Sequence, residues 1–546
     1  MTASRSRRAA LAAACGVALA SLTLTAAGAT AAETGGATAA ALGSGAPIVT
    51  TADGAVRGTA GPGGDAFLGL PYAAPPTGNL RWRPPQPAAH WRGVRDVTSF
   101  APSCPQNPAG NPFLPPGLMS EDCLYLNVYT PAPRSSDEGG RPVLVWIHGG
   151  GLTQDGGRNY DPTTLAADGV VVVTINYRLG ALGFLAHPAL AARPGGPAGN
   201  YGLMDQQAAL RWVQANIGRF GGNPRNVTIA GESAGGLSVL AQMVSPGSRG
   251  LFQKAIIQSG AFALNQQPLA AAETAGEAFA AKAGCPDQTA ACLRQLPVAD
   301  LVNTPFAGIP GVVDGQVLTE PIGAALAAGQ FARVPVLDGT NHDEERIFVT
   351  FGRAISGGTN VGLPDLSVTA GDYQTEIAGV LGTSAARTAA IAAQYPPAAY
   401  PSAAVAFSTL VGDASFACPA LQLDSLTAKR VPTFGYEFND DAAPEIFVPT
   451  LIPPPVATHG SELQYLFGLP NAPVPGTLNA GQQALADSMR AAWANFAASG
   501  NPSTTALPWP AFGHAGRASV LSLVPPQPQL ETDFAARHHC SFWAAS

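Results

Sequence analysis

Residues 220–236 read FGGNPRNVTIAGESAGG, from Phe220 to Gly236. The run Val227-Thr228-Ile229-Ala230 leads directly into Gly231-Glu232-Ser233-Ala234-Gly235 and then into a segment that continues as helix, so the stretch predicts strand, sharp turn, helix. In a G-x-S-x-G turn the serine takes strained backbone geometry, and the flanking glycines remove the Cβ atoms that would collide with strand and helix. Ser233 would then stand proud of the sheet at a helix N-terminus, where backbone N–H groups face a developing negative charge. Five residues alone are a weak signal in a chain with 63 glycines, where a Gly-rich strand-to-helix connection reads the same way. The rest of the chain has to decide.

The chain has 546 residues, 46% hydrophobic and 12% charged, with a formal net charge of −7. It can bury a large core and has no basic excess for nucleic acid. Fifty prolines imply long, stiffened loops. Length alone suggests several domains, but large α/β enzymes carry extra length as insertions, and one domain over residues 47–546 is expected.

Arg5, Arg7 and Arg8 precede an apolar stretch from Ala9 to Ala27, and small residues follow at Ala29-Thr30-Ala31-Ala32. That order is the one of a secretory signal, expected over residues 1–32, with a Gly/Ala/Thr-rich tail over 33–46. Cys15 lies inside the apolar stretch and reads as part of the signal. No membrane anchor is expected in the mature chain, which is read as secreted, and the route of export stays open between the general and twin-arginine pathways.

Export changes how the cysteines are read. Six remain, Cys104, Cys123, Cys285, Cys292, Cys418 and Cys540, an even number in an oxidising compartment, which favours disulfides over metal ligation. Sequence proximity favours 104–123 and 285–292, leaving 418 with 540. There is no CxxC or Cys/His ligand spacing, so neither a metal nor a cofactor is expected.

Beyond the tail, strands alternate with helices. Phe67–Tyr72 and Leu124–Tyr129 read as strands, and Val143–Ile147 and Val170–Ile175 are the continuous apolar runs of central strands covered on both faces. Leu210, Val213 and Ile217 recur at helical spacing. Ala255-Ile256-Ile257 and Val334–Leu337 read as two more strands. Residues 261–332 and 356–427 are Ala-rich and broken by Pro and Gly, as helical insertions would be, and a last helix is expected over Gln482–Ala498.

A serine hydroxyl is a weak nucleophile: it needs a base in hydrogen-bond reach, an acid to orient the base, and donors for the tetrahedral oxyanion. The strand Val143–Ile147 runs into His148-Gly149-Gly150-Gly151, where successive glycines allow backbone N–H groups to point into one cavity; a plain flexible glycine loop is the alternative. In this arrangement the chain order is serine, acid, histidine. Downstream lie His459, His514, His538 and His539. His514 sits in a Gly-rich turn and His538 and His539 beside Cys540 near the C-terminus, so solvated histidines suit all three. His459, at a loop-to-helix junction before Gly460-Ser461-Glu462, is the expected base. The segment Leu337–Glu345 offers four carboxylates, and spacing alone does not choose among them.

The motifs FLGLPYAAPPTGNLRWRPP at Phe67–Pro85, EDCLYLNVYTP at Glu121–Pro131, WIHGGG at Trp146–Gly151, NYRLGALGFL at Asn176–Leu185, the elbow itself and QSG at Gln258–Gly260 resemble, in this order, the type-B carboxylesterase or cholinesterase-like family of α/β-hydrolases. The resemblance runs along nearly all the mature length. It implies an α/β-hydrolase fold, with a central mostly parallel sheet flanked by helices and carrying large helical insertions. It also implies a nucleophile at Ser233, an acid at Glu344, a base at His459 and oxyanion donors at Gly150, Gly151 and Ala234. The same three disulfides follow from it. Two departures stand out. A glycine usually follows the acid in the family, whereas Glu345 does here. The cation-binding tryptophan that cholinesterases carry in the first disulfide loop is missing; Phe113 is the only aromatic residue there, so choline esters are not the expected substrate.

The sequence thus leads to a secreted serine esterase acting on a small-molecule ester through an acyl-enzyme, with no nucleic-acid partner. An amidase or a lipid- or polyester-directed hydrolase would use the same parts, and a non-catalytic binding protein on this fold is the remaining alternative.

Overall fold

The structure, a computed structural model, describes residues 45–544 apart from 109–113, 115–116, 133–138, 192–195, 197, 307–310, 351–352, 357–358, 363–367, 448–455, 475 and 514–517. The expected signal (1–32), most of the tail after it, Phe113 and His514 lie outside the described residues. Residues Gly45–Ser546 make one compact unit.

Its centre is an eleven-stranded sheet. In chain order the strands are β1 (Thr59–Gly61), β2 (Gly64–Pro71), β3 (Tyr125–Pro131), β4 (Arg141–Ile147), β5 (Val171–Ile175), β6 (Gly222–Glu232), β7 (Lys254–Gln258), β8 (Val336–Asn341), β9 (Thr433–Phe438), β10 (Val520–Leu523) and β11 (Gln529–Glu531). Across the sheet they lie in the order β1-β2-β3-β5-β4-β6-β7-β8-β9-β10-β11. From β5 to β10 every pairing is parallel, while the margins on both sides are antiparallel.

The continuous apolar strands are explained by two cores. Val143, Val145, Ile147, Val171, Val173 and Ile175 enter one core with the helices Tyr201–Asn216 and Ala234–Val244. Leu144, Trp146, Val172, Ala230 and Ile256 enter a second core with the helix Ala480–Ser499, which contributes Leu485, Met489, Trp493 and Phe496. Successive side chains point to opposite faces, so a strand covered on both sides is apolar almost throughout, and its buried Thr174 is satisfied by Asn127 Nδ2 at 2.9 Å. Ala480–Ser499 is framed by a capping box at Asn479 and Gln482 and a left-handed Gly500. It is not the last helix: Phe534–Arg537 and Cys540–Ala544 follow.

The two insertions carry helices as expected, the first at Leu269–Lys282, Ala290–Gln295, Val298–Asn303 and Ile322–Ala328. The second holds Tyr373–Leu381, Ala385–Gln394 and a continuous run from Ala403 to Thr427 with a π-turn at Asp413–Ala417. Ala403–Thr427 has the length and apolarity to cross a membrane, but Phe407, Leu410, Phe416 and Leu423 are buried in the protein.

The motifs quoted above carry two ion pairs, one buried and one part-buried. Arg178 grips Asp205 with Nε and Nη2, both at 2.7 Å, and both residues are buried. Arg81 donates to both oxygens of Glu121 and to the carbonyls of Arg294 and Leu296. Such two-pronged pairs fix the orientation of a guanidinium, although Arg178 Nη1 is left without a hydrogen-bond partner among the described residues. The cysteines form disulfides 104–123, 285–292 and 418–540.

His538 differs from the reading of a solvated side chain. It is 3% exposed, with Nδ1 2.5 Å from Asp413 Oδ1 and Nε2 2.7 Å from Glu437 Oε1. Burial disfavours its cation, but the two carboxylates outweigh burial and raise its pKa to about 10. Adjacency to Cys540 concealed this, because Asp413 and Glu437 are more than a hundred residues away in sequence.

Candidate active site

The register of the parallel strands brings their carboxyl ends together at one edge. Ile147 pairs with Gly231, Glu232 with Gln258, and Gln258 with Gly339. The residues that follow β4, β6, β7 and β8 therefore emerge side by side, where ligands of open α/β sheets bind.

Ser233 has φ 55° and ψ −124°, between β6 and the helix Ala234–Val244. A non-glycine residue in this region is strained and persists only when its surroundings hold it. Here Ser233 N donates to Gln258 O at 2.8 Å, and the helix begins at once. The glycines are needed for close approach: a Cβ on Gly235 would sit 2.0 Å from Ile147 O, and one on Gly231 would sit 2.5 Å from the carbonyl carbon of Gly235. The Gly149–Gly151 loop lies against the elbow, since a Cβ on Gly149 would be 3.1 Å from Ser233 Cβ. Gly150 and Gly151 have φ 78° and 62°, turns that glycine adopts without strain. Ala234 opens its helix, so its N–H has no partner within the helix.

His459 and Glu344, 115 residues apart, meet directly: imidazole Nδ1 is 2.5 Å from Glu344 Oε2. Glu344 is buried, and its Oε1 accepts from Ser259 Oγ (2.6 Å), Thr340 Oγ1 (2.7 Å) and the Asn341 N–H (2.8 Å). Glu345 is also fully buried, beside Gly412. On its other side, His459 Nε2 is 3.2 Å from Glu232 Oε1, the residue before Ser233. No hydrogen bond joins Ser233 Oγ to Nε2 in this arrangement; such bonds are often long in the absence of substrate. Phe348 and Phe416 flank the imidazole, with ring centroids 5.0 and 5.2 Å away.

Electrostatically the site is a carboxylate cluster around one imidazole. Burial alone would depress the His459 cation, but Glu232 and Glu344 outweigh it and raise the pKa to about 9. Burial pushes Glu232 up to about 8, opposed by His459 and reinforced by Glu462, Glu344 and Asp155. Facing each other across 3.2 Å, Glu232 and His459 titrate as a pair that holds a proton into mildly alkaline pH. Burial also raises Glu462, which accepts from Gln258 Nε2 and Asn341 Nδ2.

The sequence reading did not single out Glu232, Glu462, Thr340 or Asn341, and met Ser259 only within the motif at Gln258–Gly260. A further signal for Ser259 was its position at the end of the strand next to the elbow strand. Asp338, Asp343 and Glu345, the other carboxylates of the 337–345 segment, make no bond to His459. Asp338 is buried in the sheet near Asp424, each pushed well above the usual carboxylate range chiefly by burial. Asp343 bonds Arg346 and His342.

The sequence profile described as Carboxylesterase family matches residues 45–543. A pyrethroid hydrolase of Rattus norvegicus is 37% identical over 516 residues, covering 88% of this chain and 87% of its own. A fumonisin B1 esterase of Sphingopyxis macrogoltabida is 38% identical over 488 residues (85% and 84%), and a cocaine esterase of Homo sapiens 36% identical over 537 residues (91% and 91%). The α/β-hydrolase sheet, the serine elbow and these similarities over most of the chain together assign it: this protein belongs to the carboxylesterase family and is a type-B carboxylesterase.

Proposed function

We propose that this carboxylesterase is a secreted, single-domain serine esterase, residues 47–546 being the catalytic domain, and that Ser233, Glu344 and His459 act as nucleophile, orienting acid and base. The observation that carries the reading is the 2.5 Å contact of Glu344 with His459, whose other nitrogen faces the residue preceding Ser233. His459 Nε2 takes the Ser233 proton as Oγ attacks the ester carbonyl, and the oxyanion is held by the N–H groups of Gly150, Gly151 and Ala234. The imidazolium then protonates the departing alkoxide, leaving an acyl-Ser233 that water hydrolyses by the same steps. Secretion is supported by the N-terminal order of arginines, apolar stretch and small residues and by the three disulfides.

The rings of Phe348 and Phe416 beside His459, with Phe262 5.5 Å from Phe416, favour an apolar acyl group. The relatives' names point to pyrethroids, fumonisin B1 and cocaine, so what carries over is ester hydrolysis rather than one of those compounds. The test is a series of p-nitrophenyl esters from acetate to octanoate beside the matching p-nitroanilides. Rapid ester turnover with anilides at least about 100-fold slower is expected. Comparable anilide cleavage would make the enzyme an amidase, and no turnover of any substrate would sink the catalytic reading.

The pH profile follows from the cluster. A raised His459 pKa favours the imidazolium, so a higher pH is needed to free the base. kcat/KM for a neutral ester should rise about tenfold per pH unit on the acid side and level off only near the raised pKa of about 9. Glu232, the second carboxylate beside His459, is what carries the limb above the usual histidine range. Glu232→Gln should move the acid limb down by about 1 pH unit or more. A limb unmoved in that variant would mean that Glu232 stays neutral and does not set it.

A further inference from the structure

Two histidines next to the site, which the proposed chemistry does not use, converge on one carboxylate. Glu437, near the carboxyl end of β9, is fully buried, and the donor atoms of Glu437, His342 and His538 all lie within 4.8 Å of one another. His342 directly follows β8, and its N–H donates to Phe438 O at 3.1 Å, adding a rung to the β8–β9 pairing. Each imidazole has Nδ1 held by its own carboxylate: His538 donates to Asp413 (2.5 Å), and His342 Nδ1 lies 3.1 Å from Asp343 Oδ2. A carboxylate behind Nδ1 is the arrangement that orients a metal-bound histidine and makes its Nε2 a stronger donor. His538 Nε2 and Glu437 Oε1 already sit 2.7 Å apart, and the two rings have centroids 5.7 Å apart. Two imidazoles on one tetrahedral zinc ion, at about 2.0 Å each, would place their centroids about 5 Å apart.

The local charge also fits a dication. Asp343, Asp413, Glu437, Glu531 and Asp441 surround the cluster, while Arg346 and Arg537 supply the guanidinium charge, Arg346 on Asp343 and Arg537 on Glu437 and Glu531. Arg537 and Asn439 occupy Glu437 Oε2, which leaves Oε1 facing the histidines.

We propose that His342, Glu437 and His538 form a binding site for a divalent transition metal of the zinc class, with two imidazole nitrogens and one carboxylate as ligands. The ion takes the place of the proton between His538 Nε2 and Glu437 Oε1, and that proton passes to solvent. Ligand atoms about 2.0 Å from a tetrahedral ion lie about 3.3 Å apart, so the buried pair opens from 2.7 Å, and His342, whose side chain is 37% exposed, closes onto the ion from within 4.8 Å. The fourth position is open to water or to Asp441, which lies within 4.8 Å of His342 and Asp343. Bound there, the ion ties the loop that leads into Glu344 to the segment pinned by the Cys418–Cys540 disulfide. Cysteine spacing could not reveal such a site, because its ligands come from three distant segments.

The test uses the secreted full chain without a polyhistidine tag, stripped with a chelator and then dialysed against Zn²⁺. One zinc per chain is expected, with a zinc-dependent rise in Tm, and Co²⁺ should give the visible absorption of a tetrahedral nitrogen–oxygen site. His342→Ala, with its fold checked by undiminished ester hydrolysis, should weaken binding by at least about 100-fold and abolish the Tm rise. Asp343→Asn should weaken binding about tenfold. Wild-type protein that takes up no zinc, or zinc bound equally by wild type and His342→Ala, overturns the proposal.

Discussion

Ser233→Ala is expected to lower kcat/KM for a p-nitrophenyl ester by about 10⁴-fold or more while leaving the fold intact. Alanine removes only Oγ, and the strained backbone is held by Ser233 N–Gln258 O and by the helix that starts at Ala234, neither of which uses the side chain. The oxyanion donors remain as well, so residual catalysis above the uncatalysed rate should persist. A fluorophosphonate probe should label one peptide, the one containing Ser233, and none in the variant. Ser259 is the competing serine, also with a positive φ of 48°. Its hydroxyl donates to Glu344 at 2.6 Å, which suits a residue that orients the acid. Labelling at Ser259, or full activity in Ser233→Ala, would remove Ser233 as the nucleophile.

Glu344→Gln should cost about 10³- to 10⁴-fold in kcat with Tm little changed, and the reason lies in its hydrogen bonds. The backbone N–H of Asn341 can only donate, so the glutamine carbonyl must take the place of Oε1. The amide NH₂ then faces His459 Nδ1, which has to accept. The imidazole proton is forced onto Nε2, leaving no lone pair there for the serine proton. Glu345→Gln is expected to keep kcat within about tenfold, because Glu344 makes the bond to the imidazole. Loss of activity in Glu345→Gln with Glu344→Gln active would shift the acid by one residue.

Much of this architecture was legible before any coordinates, for local reasons. A strand covered on both faces reads as a near-continuous apolar run, so Val143–Ile147 and Val171–Ile175 announced themselves, the buried Thr174 accepting a hydrogen bond from Asn127. A serine at positive φ wedged between strand and helix needs glycine neighbours, so the elbow was written in its own letters. Family motifs supplied the order of the parts and the choice of Glu344 among four carboxylates, which spacing left open.

What surrounds those parts was decided by the tertiary structure alone. Glu232 reads in sequence as the variable position of a motif, and only the fold sets it 3.2 Å from an imidazole 227 residues further along. Ser259, Thr340 and Asn341 meet on one oxygen of Glu344 because the register of β7 and β8 aligns their ends. His538 looked like a solvated residue near a terminus, and Asp413 and Glu437 make it a buried cation. Burial and electrostatic environment are properties of the space around a side chain, filled here by segments that no local pattern links. The sequence by itself therefore determined the fold class and which residue types could act, whereas the protonation of His459 and the company kept by His342 and His538 arise only when distant strand ends are brought to the same edge of the sheet.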